Sequence, residues 1–166
     1  MRKLAIGITI LICFQAMAQE AKYKALFMYK FIQNFEYPKG KIGDTYTIGV
    51  IGNDEVLNQL QSLTKGRKVN GKSIEVSRFT PGASMKNLCA LFLSHKSRDL
   101  FGSLSKAALE NSTVLISETP GLGKKGSPIN FTTAQGKLAF ELNIQKMQST
   151  NVQVSASLKA LALIIE

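Results

Sequence analysis

The sequence has no tryptophan, one histidine and two cysteines, and these shortages restrict its chemistry. A lone histidine, His95, with no second ligand nearby is poor evidence for a metal site. It also leaves no recognisable Ser-His-Asp arrangement. Acidic residues are few, 11 against 21 basic ones, and their dispersal argues against a hydrolase with paired carboxylates. We therefore predict that the protein is not an enzyme and uses no metal and no cofactor.

The shortage of acidic residues gives the chain a formal net charge of +10. The basic residues are scattered along the sequence, and no aromatic RNA-binding motif accompanies them. Such a charge favours solubility, or attraction to an acidic membrane or protein surface, over recognition of nucleic acid. We therefore predict that nucleic acid is not a partner.

Residues 1–18 have the pattern of an export signal. A basic start precedes an apolar run at residues 4–14, which is too short to span a bilayer comfortably. Ala16-Met17-Ala18 then matches the small-x-small pattern of a cleavage site. This predicts a cleaved signal peptide and a mature periplasmic protein that begins at Gln19. The alternative is an uncleaved N-terminal anchor.

Residues 19–166 have the length of one domain, large enough to bury a core without disulfide bonds. Cleavage of the signal removes Cys13 and leaves Cys89 as the remaining cysteine, so no intramolecular disulfide can form. Cys89 lies in an apolar run at residues 88–93, which predicts a small buried core residue.

Apolar runs and turn residues divide most of the chain into alternating strands and helices. A β-branched apolar run that ends in glycine favours a strand, and apolar residues at every third or fourth position favour a helix. These patterns predict strands at 46–52, 73–79, 88–93 and 113–117, and helices at 55–63 and 97–109. The predicted fold class is α/β, with a mostly parallel central sheet flanked by helices.

The last part of the chain predicts an antiparallel β-hairpin followed by helices. Alternating runs at 129–133 and 137–143 are joined by a short turn in which Gly136 supplies a positive φ. A short helix is predicted at 144–150. A terminal helix is predicted at 155–165, from the helical spacing of Leu158, Leu161, Ala162 and Ile165.

The most aromatic stretch of the chain, residues 22–38, predicts an amphipathic opening helix. Its core face comprises Ala21, Ala25, Met28, Tyr29, Ile32 and Phe35. A second apolar line, Tyr23, Phe27 and Phe31, runs among polar residues at i, i+4 and i+8. A loop or the end of the chain covers this line, or else the line is exposed. An exposed line, with Lys24 and Lys30 around it, would form a contact patch for a partner or for self-association.

A second candidate region lies where the predicted strands end. His95 follows the third strand and Glu118 follows the fourth, at the positions where α/β sheets often place functional groups. The glycine-rich segment at 121–126 lacks the helix of a phosphate-binding loop, so it predicts a flexible basic loop. Because it is a surface loop, we predict that it lines a ligand crevice together with Asn130. The candidate crevice comprises His95, Glu118, Gly121 and Asn130.

Several segments, taken in order, resemble one family. The opening helix carries Lys24-Ala25-x-Phe27-x-Tyr29-Lys30-Phe31, followed by Phe35-Glu36-Tyr37-Pro38. Further segments that resemble the same family lie at 48–52, 71–76, 91–93, 117–131, 138–143 and 154–158. Together they span nearly the whole expected mature chain, which resembles the YfiR/HmsC-like family of small periplasmic proteins.

The resemblance implies a compact α/β domain with a regulatory, non-enzymatic role. Members of the family restrain a membrane-bound diguanylate cyclase by contact with its periplasmic part, and so affect cyclic-di-GMP and biofilm. By this resemblance, we expect a periplasmic adaptor that binds the sensor domain of an inner-membrane cyclase or sensor kinase. The alternative function is a periplasmic small-molecule-binding protein that uses the crevice near His95.

Overall fold

The computed structural model describes residues 19–165, so the predicted signal at 1–18 lies outside it. The opening helix, α1, covers residues 19–33. In the part of the chain that is described, the helices are too short or too polar to cross a membrane.

Short strands and helices alternate after α1. In the first half they are β1 (Phe35–Glu36), β2 (Thr45–Ile51), α2 (Asp54–Thr64), β3 (Lys68–Val69), β4 (Lys72–Arg78) and β5 (Leu88–Leu93). In the second half they are a 3-10 turn (His95–Leu100), α3 (Phe101–Glu110), β6 (Val114–Ser117), β7 (Ile129–Ala134), β8 (Lys137–Asn143), α4 (Ile144–Ser149), β9 (Gln153–Val154), α5 (Ala156–Lys159) and β10 (Leu163–Ile165).

The strands form an eight-stranded sheet in the order β10-β8-β7-β6-β5-β2-β4-β3. Strands β4, β2, β5, β6 and β7 run parallel to one another. Strand β3 is antiparallel to β4, and β7 and β8 form the predicted antiparallel hairpin. Its turn residues Gln135 and Gly136 both have positive φ, as a two-residue hairpin turn requires. The predicted fold class is confirmed.

Helices cover both faces of the sheet. On one face, α1 and α2 pack on β2, β5 and β6 through a core that includes Met28, Leu60 and Phe92. On the other face, α3 packs through Leu104 against Leu91 of β5. Because β5 is buried on both sides, its sequence is continuously apolar rather than alternating.

The second apolar line of α1 is exposed at Tyr23 and buried at Phe31. The six predicted core residues of α1 are buried, but Phe31 is also fully buried, with 0% of its surface accessible. Its ring centroid lies 4.8 Å from that of Phe140 and 5.9 Å from that of Phe131, so the β7–β8 hairpin covers it. Phe27 is half-buried against the same two rings. The interpretations of Phe31 as exposed, or as covered by a loop or the chain end, are therefore wrong.

The prediction of a terminal helix at 155–165 is also wrong. Only α5 is helical there, and after Leu161 the chain turns and adds β10 to the sheet, parallel to β8. The edge of β8 carries backbone groups that need partners, and pairing with β10 satisfies them. Leu161, which the helical spacing placed inward, is 71% exposed in the connecting turn.

The single cysteine among the described residues is expected to be unreactive. Cys89 lies fully buried in β5, and burial raises the pKa of its thiol to about 12. At pH 8 only about one thiol in ten thousand is then ionised. In protein that begins at Gln19, a thiol-specific reagent should modify Cys89 only after denaturation, and a reductant should leave the Tm unchanged. Rapid labelling of the native protein, or a Tm that falls with reductant, would contradict this.

Candidate functional site

A cleft of about 340 Å³ opens at the carboxyl ends of β2, β5 and β6. Each of these parallel strands ends at the same edge of the sheet and delivers its next residues to that edge. Gly52 and Asn53 follow β2, Ser94 and His95 follow β5, and Glu118 follows β6. The first turns of α1 close the cleft from above.

An ion-pair cluster joins α1 to this edge of the sheet. Lys24 Nζ lies 2.5 Å from Glu118 Oε2 and 2.5 Å from Glu20 Oε1. Lys24 is only 7% exposed, so it does not belong to an exposed contact patch as predicted. Burial lowers the pKa of Lys24, but hydrogen bonds and attraction to Glu118 and Glu20 outweigh this and raise the pKa above its usual value. The cluster thus holds a charged lysine at the wall of the cleft.

The structure brings His95 and Glu118 together. The backbone N–H of His95 donates to Glu118 Oε1 at 2.9 Å. The ring Nδ1 lies 3.2 Å from Thr119 Oγ1, and the residue as a whole is exposed. Glu118 therefore binds Lys24 with one carboxylate oxygen and the start of the 3-10 turn with the other, and it positions both walls of the cleft.

Asn130 and Gly121 do not share the cleft with His95, which corrects the predicted crevice. Asn130 is buried in β7, where its Nδ2 donates to Glu141 Oε2 at 2.8 Å and its Oδ1 accepts from Ser117 Oγ at 2.7 Å. Gly121 is exposed on the turn between β6 and β7, with a φ of 82°. Asn130 is therefore a structural residue that aligns β6, β7 and β8.

The segment 121–126 is also more tightly packed than predicted. Leu122 is buried, and Asn143 Nδ2 donates to the carbonyl of Gly123 at 3.0 Å. A side chain at Gly123 would collide with the carboxylate of Glu141. The interpretation as a flexible loop is therefore wrong, and the segment is a compact turn that exposes two lysines to solvent.

Eight of the ten residues that line the cleft were not among the predicted crevice residues: Glu20, Ala21, Lys24, Gly52, Asn53, Glu55, Ser94 and Lys96. Ser94 directly follows a predicted strand and Gly52 ends one, and those positions were the available signal. Gly52 and Ser94 lie close together because β2 and β5 are neighbours in the sheet. The sequence alone does not give the order of the strands, so neither residue could be identified from it.

A second concave surface lies between α1 and the β7–β8 hairpin. This aromatic groove has a volume of about 700 Å³ and is lined by Gln19, Glu20, Tyr23, Phe27, Thr133, Gly136, Lys137 and Leu138. Tyr23 is 46% exposed at its rim. Of the five residues predicted to bind a partner, Tyr23 and Phe27 line the groove, whereas Lys30 is exposed farther along α1. Lys24 and Phe31 are buried.

Comparisons with known proteins agree with this architecture. A family model described as YfiR/HmsC-like matches residues 21–163, which confirms the resemblance predicted from the sequence. No curated protein matches the chain. The crystal structure of a conserved domain protein from Vibrio cholerae O1 biovar eltor str. N16961 is similar, with a TM-score of 0.54 and 10% identity over 88% of this chain. The chain spans 60% of that protein's length, and at this identity the likeness concerns the fold alone.

Proposed function

The chain belongs to the YfiR/HmsC-like family, and from that membership we propose that it binds and restrains the sensor domain of an inner-membrane signalling protein. Members of this family are in general periplasmic regulators. The first candidate partner is a diguanylate cyclase that controls cyclic-di-GMP and biofilm, and the second is a sensor kinase. In this mechanism the bound regulator favours the inactive state of the sensor, and its release shifts the population to the active state.

The observation that carries the proposal is the exposed aromatic ring of Tyr23 beside the aromatic groove. Aromatic side chains that reach into a pocket with a polar rim are typical anchors of protein interfaces. The groove is apolar at Phe27 and Leu138 and polar at Lys137. Lys22 and Lys30 add two exposed positive charges on α1. The surface therefore suits a partner that offers an apolar side chain next to acidic residues.

Phe27 is a poor position for testing this surface. Its ring packs against Phe31, Phe131 and Phe140 at centroid distances of 6.1, 6.1 and 5.6 Å. A carboxylate at this position would lie against the core, so Phe27→Glu would destabilise the fold and obscure an effect on binding. Tyr23 lies farther out and is the better probe.

We expect a photo-crosslinking amino acid at position 23 to capture the partner in intact cells. The adduct should contain a membrane protein with a cyclase or kinase domain, because Tyr23 lies at the centre of the proposed contact. Ser103, exposed on α3 on the opposite face of the sheet, is the matched control site and should give no such adduct. Mass spectrometry of the purified adduct identifies the captured protein.

Tyr23→Ala should raise the signalling output of that partner while the melting curve stays unchanged. An adduct that forms equally well from position 103 would contradict the proposed surface. An adduct with a transporter, or only with a second copy of the chain, would contradict the proposed partner class.

A second candidate function is binding of a small molecule. The observation that favours it is the cleft at the carboxyl ends of β2 and β5. In open α/β sheets, ligands bind where neighbouring strands send the chain in opposite directions. After β2 the chain continues to β4, which lies on one side of β2. After β5, which lies on the other side of β2, the chain continues to β6. The cleft therefore lies between β2 and β5, where the two directions diverge.

A further inference from the structure

The cleft contains a buried hydroxyl without a partner. Ser94 is 1% exposed, and among the described residues its Oγ is the buried side-chain polar atom that makes no hydrogen bond. Buried polar groups nearly always find a partner, because leaving one unpaired costs about 1–3 kcal/mol. Ser94 directly follows β5 and lines the cleft. Its hydroxyl is therefore available to a group that enters there.

Gly52 allows this hydroxyl and a second one to approach its backbone closely. Gly52 directly follows β2 and has a φ of 77°, a conformation that favours glycine. A Cβ at this position would collide with both Ser94 Oγ and Ser97 Oγ. Two hydroxyl groups from the β5 side therefore lie close together over the Gly52 backbone, where a side chain at position 52 would displace them.

The N-terminus of α2 adds further donors at the same place. Asn53 caps this 11-residue helix, and its Oδ1 accepts from the N–H of Val56 at 3.0 Å. The N–H of Leu57 bonds the carbonyl of Asn53. Asp54 and Glu55 are the first two residues of the helix, so their N–H groups have no acceptor within it. The end of α2 is thus a partially positive site with free donors.

The carboxylates around the cleft are only partly neutralised, because Glu118 and Glu20 share the single charge of Lys24. Glu118 bonds Lys24 and the N–H of His95. Asp54 pairs with Arg78 at 2.6 Å. Glu55 has no cationic partner, and its Oε1 accepts from Gln59 at 2.9 Å, so it partly opposes a negative ligand.

From these donors we infer that the cleft binds an anionic oxygen group, a carboxylate or a phosphate, of a small ligand. The hydroxyl groups of Ser94 and Ser97 and the N–H groups of Asp54 and Glu55 donate to its oxygens. Lys96, exposed at the rim, adds a positive charge. This inference deepens the second candidate function by naming its ligand chemistry and does not depend on the partner of the aromatic groove.

The test is an NMR titration of ¹⁵N-labelled protein that begins at Gln19. Sodium phosphate and sodium acetate are added in separate series at constant ionic strength, with sodium chloride as the reference. We expect the amide signals of Asp54, Glu55 and Lys96 to move and saturate at millimolar concentrations of at least one anion. Saturation by phosphate alone identifies a phosphate group, and saturation by acetate alone identifies a carboxylate.

Variants then assign the binding to the proposed donors. Ser94→Ala and Ser97→Ala should each weaken the affinity about tenfold, the usual loss of a hydrogen bond to a charged group. Glu55→Gln should strengthen it about threefold, because a competing charge is removed. Ser103→Ala, an exposed serine on α3, is the matched control and should bind like the wild type.

Shifts that do not saturate, or that follow chloride equally, would overturn the inference. So would unchanged affinity in both serine variants when their spectra show an intact fold. Crosslinking from position 23 should be unaffected by Ser94→Ala, so failure of the anion site can be distinguished from failure of the proposed partner surface.

Discussion

Phe31→Ala is expected to lower the free energy of unfolding by about 3–5 kcal/mol. The Phe31 ring is fully buried between α1 and the β7–β8 hairpin, where it contacts Phe35, Phe131 and Phe140. Removing it loses the transfer energy of the ring and leaves a cavity that neighbouring aromatic rings fill poorly. Urea unfolding followed by circular dichroism measures the change.

Two variants make this result specific. Phe31→Leu keeps much of the apolar volume and should cost less than about 1.5 kcal/mol. Tyr23→Ala lies on the same side of α1, but its side chain is nearly half exposed, so its effect should stay within about 0.5 kcal/mol. A cost below about 1 kcal/mol for Phe31→Ala would show that the hairpin does not cover α1 as described.

Lys24→Met is expected to lower the free energy of unfolding by about 3 kcal/mol. The substitution leaves the carboxylate of Glu118, whose side chain is only 10% exposed, without its cation. Leaving a charge unpaired in such a site costs more free energy than the original ion pair contributed to stability. The double variant Lys24→Met with Glu118→Leu should therefore regain most of the stability. Lys30→Met, at an exposed position on the same helix, is the control and should have little effect.

The same pair predicts a pH dependence of stability. The pKa of Lys24 is raised in the folded protein, so its contribution is fully present below the usual lysine value of 10.5. The contribution is lost as the pH rises through the higher folded pKa. The difference in Tm between wild type and Lys24→Met should therefore be constant from pH 7 to about pH 10 and should narrow above that. A difference that narrows near neutral pH would contradict the ion pair.

The sequence predicts the parts of this fold that are decided locally. The apolar run that contains Cys89 forms a central strand because β5 is buried on both faces. Gly136 marks the hairpin because the turn needs positive φ. The spacing of Val56, Leu57 and Leu60 predicts α2 because these residues face one side of a helix.

The wrong predictions concern places where contacts with distant parts of the chain decide the outcome. Helical periodicity shows that Phe31 lies on a second side of α1, but it does not show that the hairpin covers that side. The spacing of Leu158 and Leu161 fits a helix, yet the open edge of β8 offers the following residues hydrogen bonds in a strand. For the cleft, His95 and Glu118 follow from strand ends, whereas Gly52 and Ser94 require knowledge that β2 and β5 are neighbours.

Several partners of the first helix and of the residues that follow it arrive late in the chain. Phe31 packs on strands β7 and β8, and β1 pairs with β9 through Phe35 and Val154. The hydroxyl of Ser155 donates to the side chain of Asn34 across a separation of 121 residues. A chain that emerges N-terminus first therefore cannot complete the burial of this helix and of β1 until residues beyond 150 have followed. Such distant contacts slow folding, so a nascent chain should stay unfolded, and open to a translocation channel or a holding chaperone, until synthesis is nearly finished.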